Sequence, residues 1–493
     1  MTTNKPADTK TTAKTNPAQA PNGQGFSQYN QIKIDSFWLY RVVDGTVQDE
    51  NKWIDMTPFH QELNIFEDIA SQTLSAQLLV ADPVNIADRF PIVGGERIKL
   101  TYSNPGFTNG NTLEFVVYKI GERIRTDSKT KSQAYWLYLC TVDRWVDVNT
   151  DVSKSYAGNY TEIMRSCLTE IQSATPIDAA DSTGNAAFVS PYWSPLKCVS
   201  FCAKRAVDAE DSPFLFWETV TGYKFKPMSA VLQSEPIKTL YYEPADNKHH
   251  QNNMDKTLNH VKRFEFKESN NKLEQYASGS YGTRVFFFNL GSKIVSLETT
   301  DYRNDFKKTK SHIEAFPLAD DMANKRTKTK AYVTTIDESH LSRYSRAMIM
   351  THLNNYRVLV ECAGDTRIEA GQIILFDIPA LSDVMPGYQK EVLVSGRWLI
   401  ASVRHQIGRG SYAMYLELVK DSHAVDVQQI VYGKSADDIK ADDDKRVKVP
   451  KEVMGVVDML NRYDGIDILG KSDERNEVNQ NWIDRIKGWA FWK

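Results

Sequence analysis

Two widely separated stretches of this chain repeat one pattern of strands. In the first, GGERIKLTY (Gly94–Tyr102) is followed by YKIGERIR (Tyr118–Arg125), a polar loop and YWLYLCTVD (Tyr135–Asp143). In the second, AGQIILFDI (Ala370–Ile378) is followed by WLIASVRHQ (Trp398–Gln406), a polar loop and YAMYLELVKD (Tyr412–Asp421). Each set runs glycine-led strand, strand, loop, aromatic-opened strand and closing aspartate. Apolar side chains alternate with polar ones, the signature of strands that bury one face. One pattern used twice favours one fold used twice. Long hairpins with alternating faces close most readily into sandwiches or barrels, because closure removes edge strands. A chain of 493 residues is too long for one core, so about two to four domains are expected.

Between and around the two sets the pattern changes. Residues Met1 to about Gly25 carry almost no large apolar side chain, so this arm is expected to be free in isolation. From Asp151 to Pro244 the spacing is mixed: YTEIMRSCLTEI and PLKCVSFCAKRAV predict helices, and PFLFWETVTGYKFKPMSAVL predicts strand, Thr-Gly turn, strand and short helix. Asp82-Pro83 reads as the N-cap and first turn of a short helix ending before Pro91. HVKRFEFKE and TRVFFFNLGSKIVSLET reopen the β pattern, and SHLSRYSRAMIMTHLNNY predicts a helix. Beyond Ser422 an acidic linker leads to two short helix candidates, the last being NWIDRIKGWAFWK.

Few residues invite a chemical reading. A net charge of −3 gives no footprint for nucleic acid, and no apolar run of 18 residues crosses a membrane. Five cysteines without framework spacing read as reduced thiols in a protein that folds in cytosol. Cys198 and Cys202 lie one helical turn apart, and His249-His250 follow in a polar loop; without a CxxC or HExxH pattern, core packing is the reading. GSYGTR (Gly279–Arg284) runs into a strand and lacks the Gly-Lys-Ser/Thr ending of a phosphate loop. The acidic run Asp437–Asp444 reads as a solvated linker, because neighbouring aspartates have no environment that splits their pKa values. His405 shares a strand face with Leu399, Ala401, Val403 and Ile407, and reads as a packed or rim histidine dispensable for chemistry. No catalytic, metal or cofactor residue is assigned.

Four stretches together carry a resemblance: Asn64–Tyr102, Ser212–Leu232, Gly279–Leu290, and the closing set Gly364–Pro379, Val392–Ile407 and Tyr415–Ser422. In this order they resemble the central baseplate hub proteins of contractile-tailed, T-even-like bacteriophages. The resemblance implies two tube-like β-barrel domains in each chain; with the mixed α/β insertion and the helical C-terminal tail read from the residues, the fold expected is α+β and β-dominated. The boundaries expected are a flexible arm at 1–27, a first barrel at 28–150, a mixed domain at 151–256, a second barrel at 257–424 with a charged and helical insertion at 301–355, and linker and tail at 425–493. It also implies a homotrimeric, pseudo-six-fold ring between a tail tube protein and a central spike protein, in the virion after assembly in host cytoplasm. DNA would pass through its channel without specific binding. The alternative is a hub-associated peptidoglycan hydrolase, for which no inserted segment is long and regular enough. The arm and the tail have no landmark in that family. In the tail Trp482, Ile486, Trp489, Phe491 and Trp492 are candidate partner-binding residues, with a baseplate wedge or tape-measure protein as partner; docking on the chain's own barrel stays open.

Overall fold

A computed structural model describes residues 31–423 except 44, 105–109, 126–131, 243–257, 270–272, 274–276, 278–280, 292, 302–315, 318–327, 335–340, 355, 380–389 and 392–393. Contacts divide the chain at Val427, and the second unit, Gln428–Lys493, lies outside the described residues.

The fold is β-dominated α+β, as the sequence leads one to expect. Its first region contributes β1 (Lys33–Tyr40), β2 (His60–Asp68), β3 (Ser75–Asp82), β4 (Arg97–Ser103), β5 (Asn111–Arg125) and β6 (Gln133–Thr141). The alternation does what its period dictates: Ala76, Leu78 and Val80 of β3, and Tyr135, Leu137 and Leu139 of β6, are buried while their neighbours are not. A short helix, α1 (Ile86–Arg89), follows β3. Asp82 caps it, but from outside the N-cap position: its carboxylate accepts from Ile86 N–H (2.8 Å) and Ala87 N–H (3.2 Å), while Asn85 holds the N-cap position at φ 61. The helix α2 (Val142–Val148) takes over directly from β6, its start capped by Thr141, where the sequence pattern suggested continued strand.

The middle region holds β7 (Ser155–Asn159), α3 (Tyr160–Glu170), β8 (Ile177–Ala179), β9 (Asn185–Val189), α4 (Pro195–Ala203), β10 (Phe214–Thr219), β11 (Gly222–Pro227) and α5 (Met228–Leu232). Asn159 and Glu162 form a capping box at the start of α3, and Pro195 opens α4. The continuous apolar run of β10 reflects burial on both faces. Phe214 and Phe216 join the middle region's own apolar cluster, whereas Leu215 and Trp217 join the main one.

The second region contributes β12 (Thr239–Tyr241), β13 (Val261–Ser269), β14 (Gly282–Asn289), β15 (Ile294–Asp301), β16 (Lys328–Thr334), α6 (Leu341–Leu353), β17 (Tyr356–Ala363), β18 (Ile373–Asp377), β19 (Gly396–Gly408) and β20 (Tyr412–Lys420). The stretch TRVFFFNLGSKIVSLET does not join the main sheet. It forms the β14–β15 hairpin of a separate three-stranded sheet with β16, leaving Phe288, Leu290, Ile294, Val295 and Leu297 exposed.

The two regions build one 13-stranded sheet, in which β13-β17-β20-β19 continues into β2-β3-β6-β5-β4-β1 and ends on the two-residue strand Ile54–Asp55 beside β1. Strands β12 and β18 complete the second half on β19. The first half therefore runs β2-β3-β6-β5-β4-β1 and the second β13-β17-β20-β19-β18-β12. Numbered within each half, the two orders are identical. One pairing differs: β1 and β4 are antiparallel, β12 and β18 parallel.

Candidate assembly interface

The strand that carries His405 joins the two halves. Gly396–Leu399 of β19 pairs with β18, and Ser402–Gly408 pairs with β2 of the first half. A bulge at Ala401 separates the two partnerships and breaks the strict alternation expected from Leu399 to Ile407. Gly371 N–H donates to Ile400 O on one side of the bulge and Ile69 N–H to Ala401 O on the other (2.8 and 3.0 Å).

Side chains fasten this seam. Arg404 Nε donates to Asn64 Oδ1 (2.9 Å), and Arg409 reaches back to the carbonyls of His60 (3.0 Å) and Pro58 (2.9 Å). His405 is fully buried. Its Nε2 lies 3.2 Å from Glu67 Oε1 and its Nδ1 2.8 Å from the Tyr412 hydroxyl. The assignment that satisfies all three groups has Nε2 donating to the carboxylate and Nδ1 accepting from the hydroxyl. Glu67 also accepts from Val220 N–H of the middle region (3.1 Å) and Ala370 N–H of the second half (2.8 Å). Both ring nitrogens are thus committed to buried partners, and the ring is a tie among three regions. Nearby, burial pushes the Glu218 carboxyl up to about 8 while it accepts from Leu74 N–H (2.9 Å).

The other sequence candidates are dispersed. Cys198 and Cys202 are buried in the middle region's apolar cluster, with Cys198 Sγ 3.2 Å from Ser190 Oγ. Among the described residues no group of three or more His, Cys, Asp or Glu could hold a metal ion. Gly282–Arg284 opens β14 as strand. His249, His250, the run Asp437–Asp444 and the tail residues Trp482, Ile486, Trp489, Phe491 and Trp492 lie outside the described residues. Glu67 and Tyr412 escaped the sequence reading because an isolated Glu in NIFEDIA has no local signature and its histidine stands 338 positions away.

Among the described strand edges without a ladder partner along most of their length, two lie at the ends of β5 and β13 in the main sheet. On β5, Asn111–Val116 pairs with β4, but the rest of that edge, out to Arg125, extends past it. On β13, one side pairs with β17, and the other meets β12 only through the bridge of His260 to Tyr241 just before the strand. Ile124 on the first edge is 63% exposed and Phe266 on the second 43%.

No family model matches the chain. It is 21% identical over 393 residues to the probable baseplate hub protein gp334 of Vibrio phage KVP40, covering 73% of this chain and 89% of that protein. Among solved structures it is similar to the 43 kDa tail protein of prophage MuSo2 from Shewanella oneidensis, with a TM-score of 0.47 and 9% identity over 79% of this chain and 99% of that one. The tail protein from Neisseria meningitidis MC58 has a TM-score of 0.45 and 11% identity over 78% and 97%. The resemblance read from four stretches of the sequence thus meets a relative that is itself described as a baseplate hub protein.

Proposed function

We propose that this protein is the structural hub of a contractile phage tail baseplate. Three copies form a pseudo-six-fold ring that adapts the tail tube to the central spike and leaves a channel for DNA. The observation that carries the reading is the pair of halves with identical strand order, joined edge to edge by β19 and β2. Two such halves in each of three chains supply six similar units, the number a six-fold tube requires, while the chain count suits a three-fold spike. The hub description of the relative supports the same role. The halves serve as the tube-like barrels, the first within 28–150 and the second built from 257–424 with β12 added, the rest of 151–256 lies between them in sequence, and the tail at 425–493 binds a wedge or tape-measure protein. A net charge of −3 suits a conduit, since lysine-rich walls would grip phosphate and slow passage. The chain is not an enzyme in this reading, and its place is the virion baseplate.

Sedimentation equilibrium of the purified protein tests this directly. The expected mass is three times the chain mass of 56.1 kDa. A monomer at micromolar concentration would contradict the ring, and hydrolysis of purified peptidoglycan by the pure protein would point to the enzyme alternative.

A further inference from the structure

We infer that the outer half of β5 and the outer edge of β13 pair with one another between two copies of this chain, in the register that β19 and β2 use within it. The inference rests on the ring reading and supplies its junction.

The two halves correspond through their hydrogen bonds, apart from a second bulge in β5 between Gly121 and Ile124 that β19 lacks. Gly95 N–H donates to Val117 O and Val117 N–H to Glu96 O (both 2.8 Å). In the second half Gly371 N–H donates to Ile400 O (2.8 Å) and Ile400 N–H to Gln372 O (2.9 Å). Val117 therefore corresponds to Ile400, and each is followed at once by a bulge, before Lys119 and before Ser402. The correspondence then walks across both sheets: Leu139 with Leu418, Leu137 with Leu416, Leu78 with Val360, and finally Leu63 of β2 with Phe264 of β13.

In this frame the end of β5 is the counterpart of the end of β19, and β13 is the counterpart of β2. Within the chain the end of β19 lies on β2. On the other two edges, equivalent to these, no further strand is laddered among the described residues, apart from the single bridge of His260 to Tyr241 at the foot of β13. They cannot satisfy the same arrangement within one chain by that seam, because β2 is already occupied. A second copy offers the complementary edge, and each copy then uses one edge to give and one to receive. Such a head-to-tail contact generates a ring when its rotation closes. Long edges with exposed apolar residues are what a soluble chain otherwise blunts.

The register follows. Gln406 faces Asn64 and Ile407 faces Leu63 in the internal seam. Ile124 holds the place of Gln406, since each lies opposite an alanine, Ala134 or Ala413. Ile124 should therefore face Glu265 of the second copy, and Arg125 should face Phe264. Phe266 then lies diagonally from Arg125 on the same face, within reach of an arginine-on-aromatic contact.

The test is disulfide trapping in the full chain. Directly opposed antiparallel residues bring their Cα atoms within the disulfide range, whereas a shift of two residues does not. Ile124→Cys with Glu265→Cys should oxidise to a covalent trimer on a non-reducing gel, and Ile124→Cys with Lys267→Cys should cross-link far less. In parallel, Phe266→Asp should keep the circular dichroism of the wild type while association weakens by about tenfold or more. A wild-type trimer whose register pair stays reduced, or a Phe266→Asp variant that assembles normally, overturns this junction and leaves the ring standing. A wild-type monomer overturns both.

Discussion

His405 shows how burial changes the meaning of a residue. With Glu67 and Tyr412 as its partners, its loss leaves a buried carboxylate and a buried hydroxyl each short of one hydrogen bond. His405→Ala should lower stability by about 2–4 kcal/mol, read from urea midpoints, without abolishing any chemistry. Asn or Gln reaches only one of the two partners, so these substitutions should cost less than Ala but more than the sequence alone indicated. Glu218 gives a pH signature. Its folded pKa of about 8 lies above the ordinary carboxylate value, so its contribution is full below about pH 4.5 and is lost as pH rises through 8. Glu218→Gln should flatten the fall in stability between about pH 4.5 and 8, and an unchanged profile would place that slope elsewhere. Asp365 acts in the opposite sense. Burial pushes it up, but Lys238 at 3.1 Å and Arg367 at 2.8 Å outweigh burial and hold it well below the usual range. Its contribution is present above about pH 4 and is lost as pH falls through the depressed value. At Gly371 the backbone has φ 90, and a Cβ would stand 2.5 Å from Trp217 Cζ2, the indole that donates to the Ala370 carbonyl. Gly371→Ala should therefore cost roughly 2–4 kcal/mol, measured in the same way.

At the scale of elements, most of the main sheet and the middle helices were legible, because period-2 alternation, capping residues and the Thr-Gly turn are local signals. PFLFWETVTGYKFKPMSAVL resolved into β10, β11 and α5 as read, although that β10 divides its faces between two cores was not visible locally. Less legible were features set by distant partners. The bulge at Ala401 exists because β19 changes neighbours there, and the β14–β15 hairpin leaves the main sheet although its strand pattern is strong. The echo around Gly95 and Gly371 was read as a shared pattern; the structure gives it as equivalent hydrogen bonds and equivalent bulges. The seam between β19 and β2 had no sequence signal beyond that echo. For the tail, the main-sheet strands are complete at β20, followed only by the two-residue pairing of Ser422–His423 with Phe316–Pro317, so truncation after Ser422 should leave a folded, ring-forming core and weaken one partner contact. Loss of trimerisation on truncation, seen as a fall in sedimentation mass, would make the tail part of the core.

For the whole molecule, repetition decides between an isolated protein and a component of a symmetric assembly. A chain that contains the same strand order twice, with one seam closed and the equivalent seam open, is suited to the proposed ring, in which its own copies complete the second contact. In the proposed ring, three chains present six similar units to a tube and three identical tails to other components. Class-averaged electron micrographs of the purified particle, viewed down its axis, measure this most directly. The account predicts six similar lobes around an open lumen in a particle of three chains. Three lobes without a pseudo-six-fold repeat, a filled centre, or a field of single chains would contradict it.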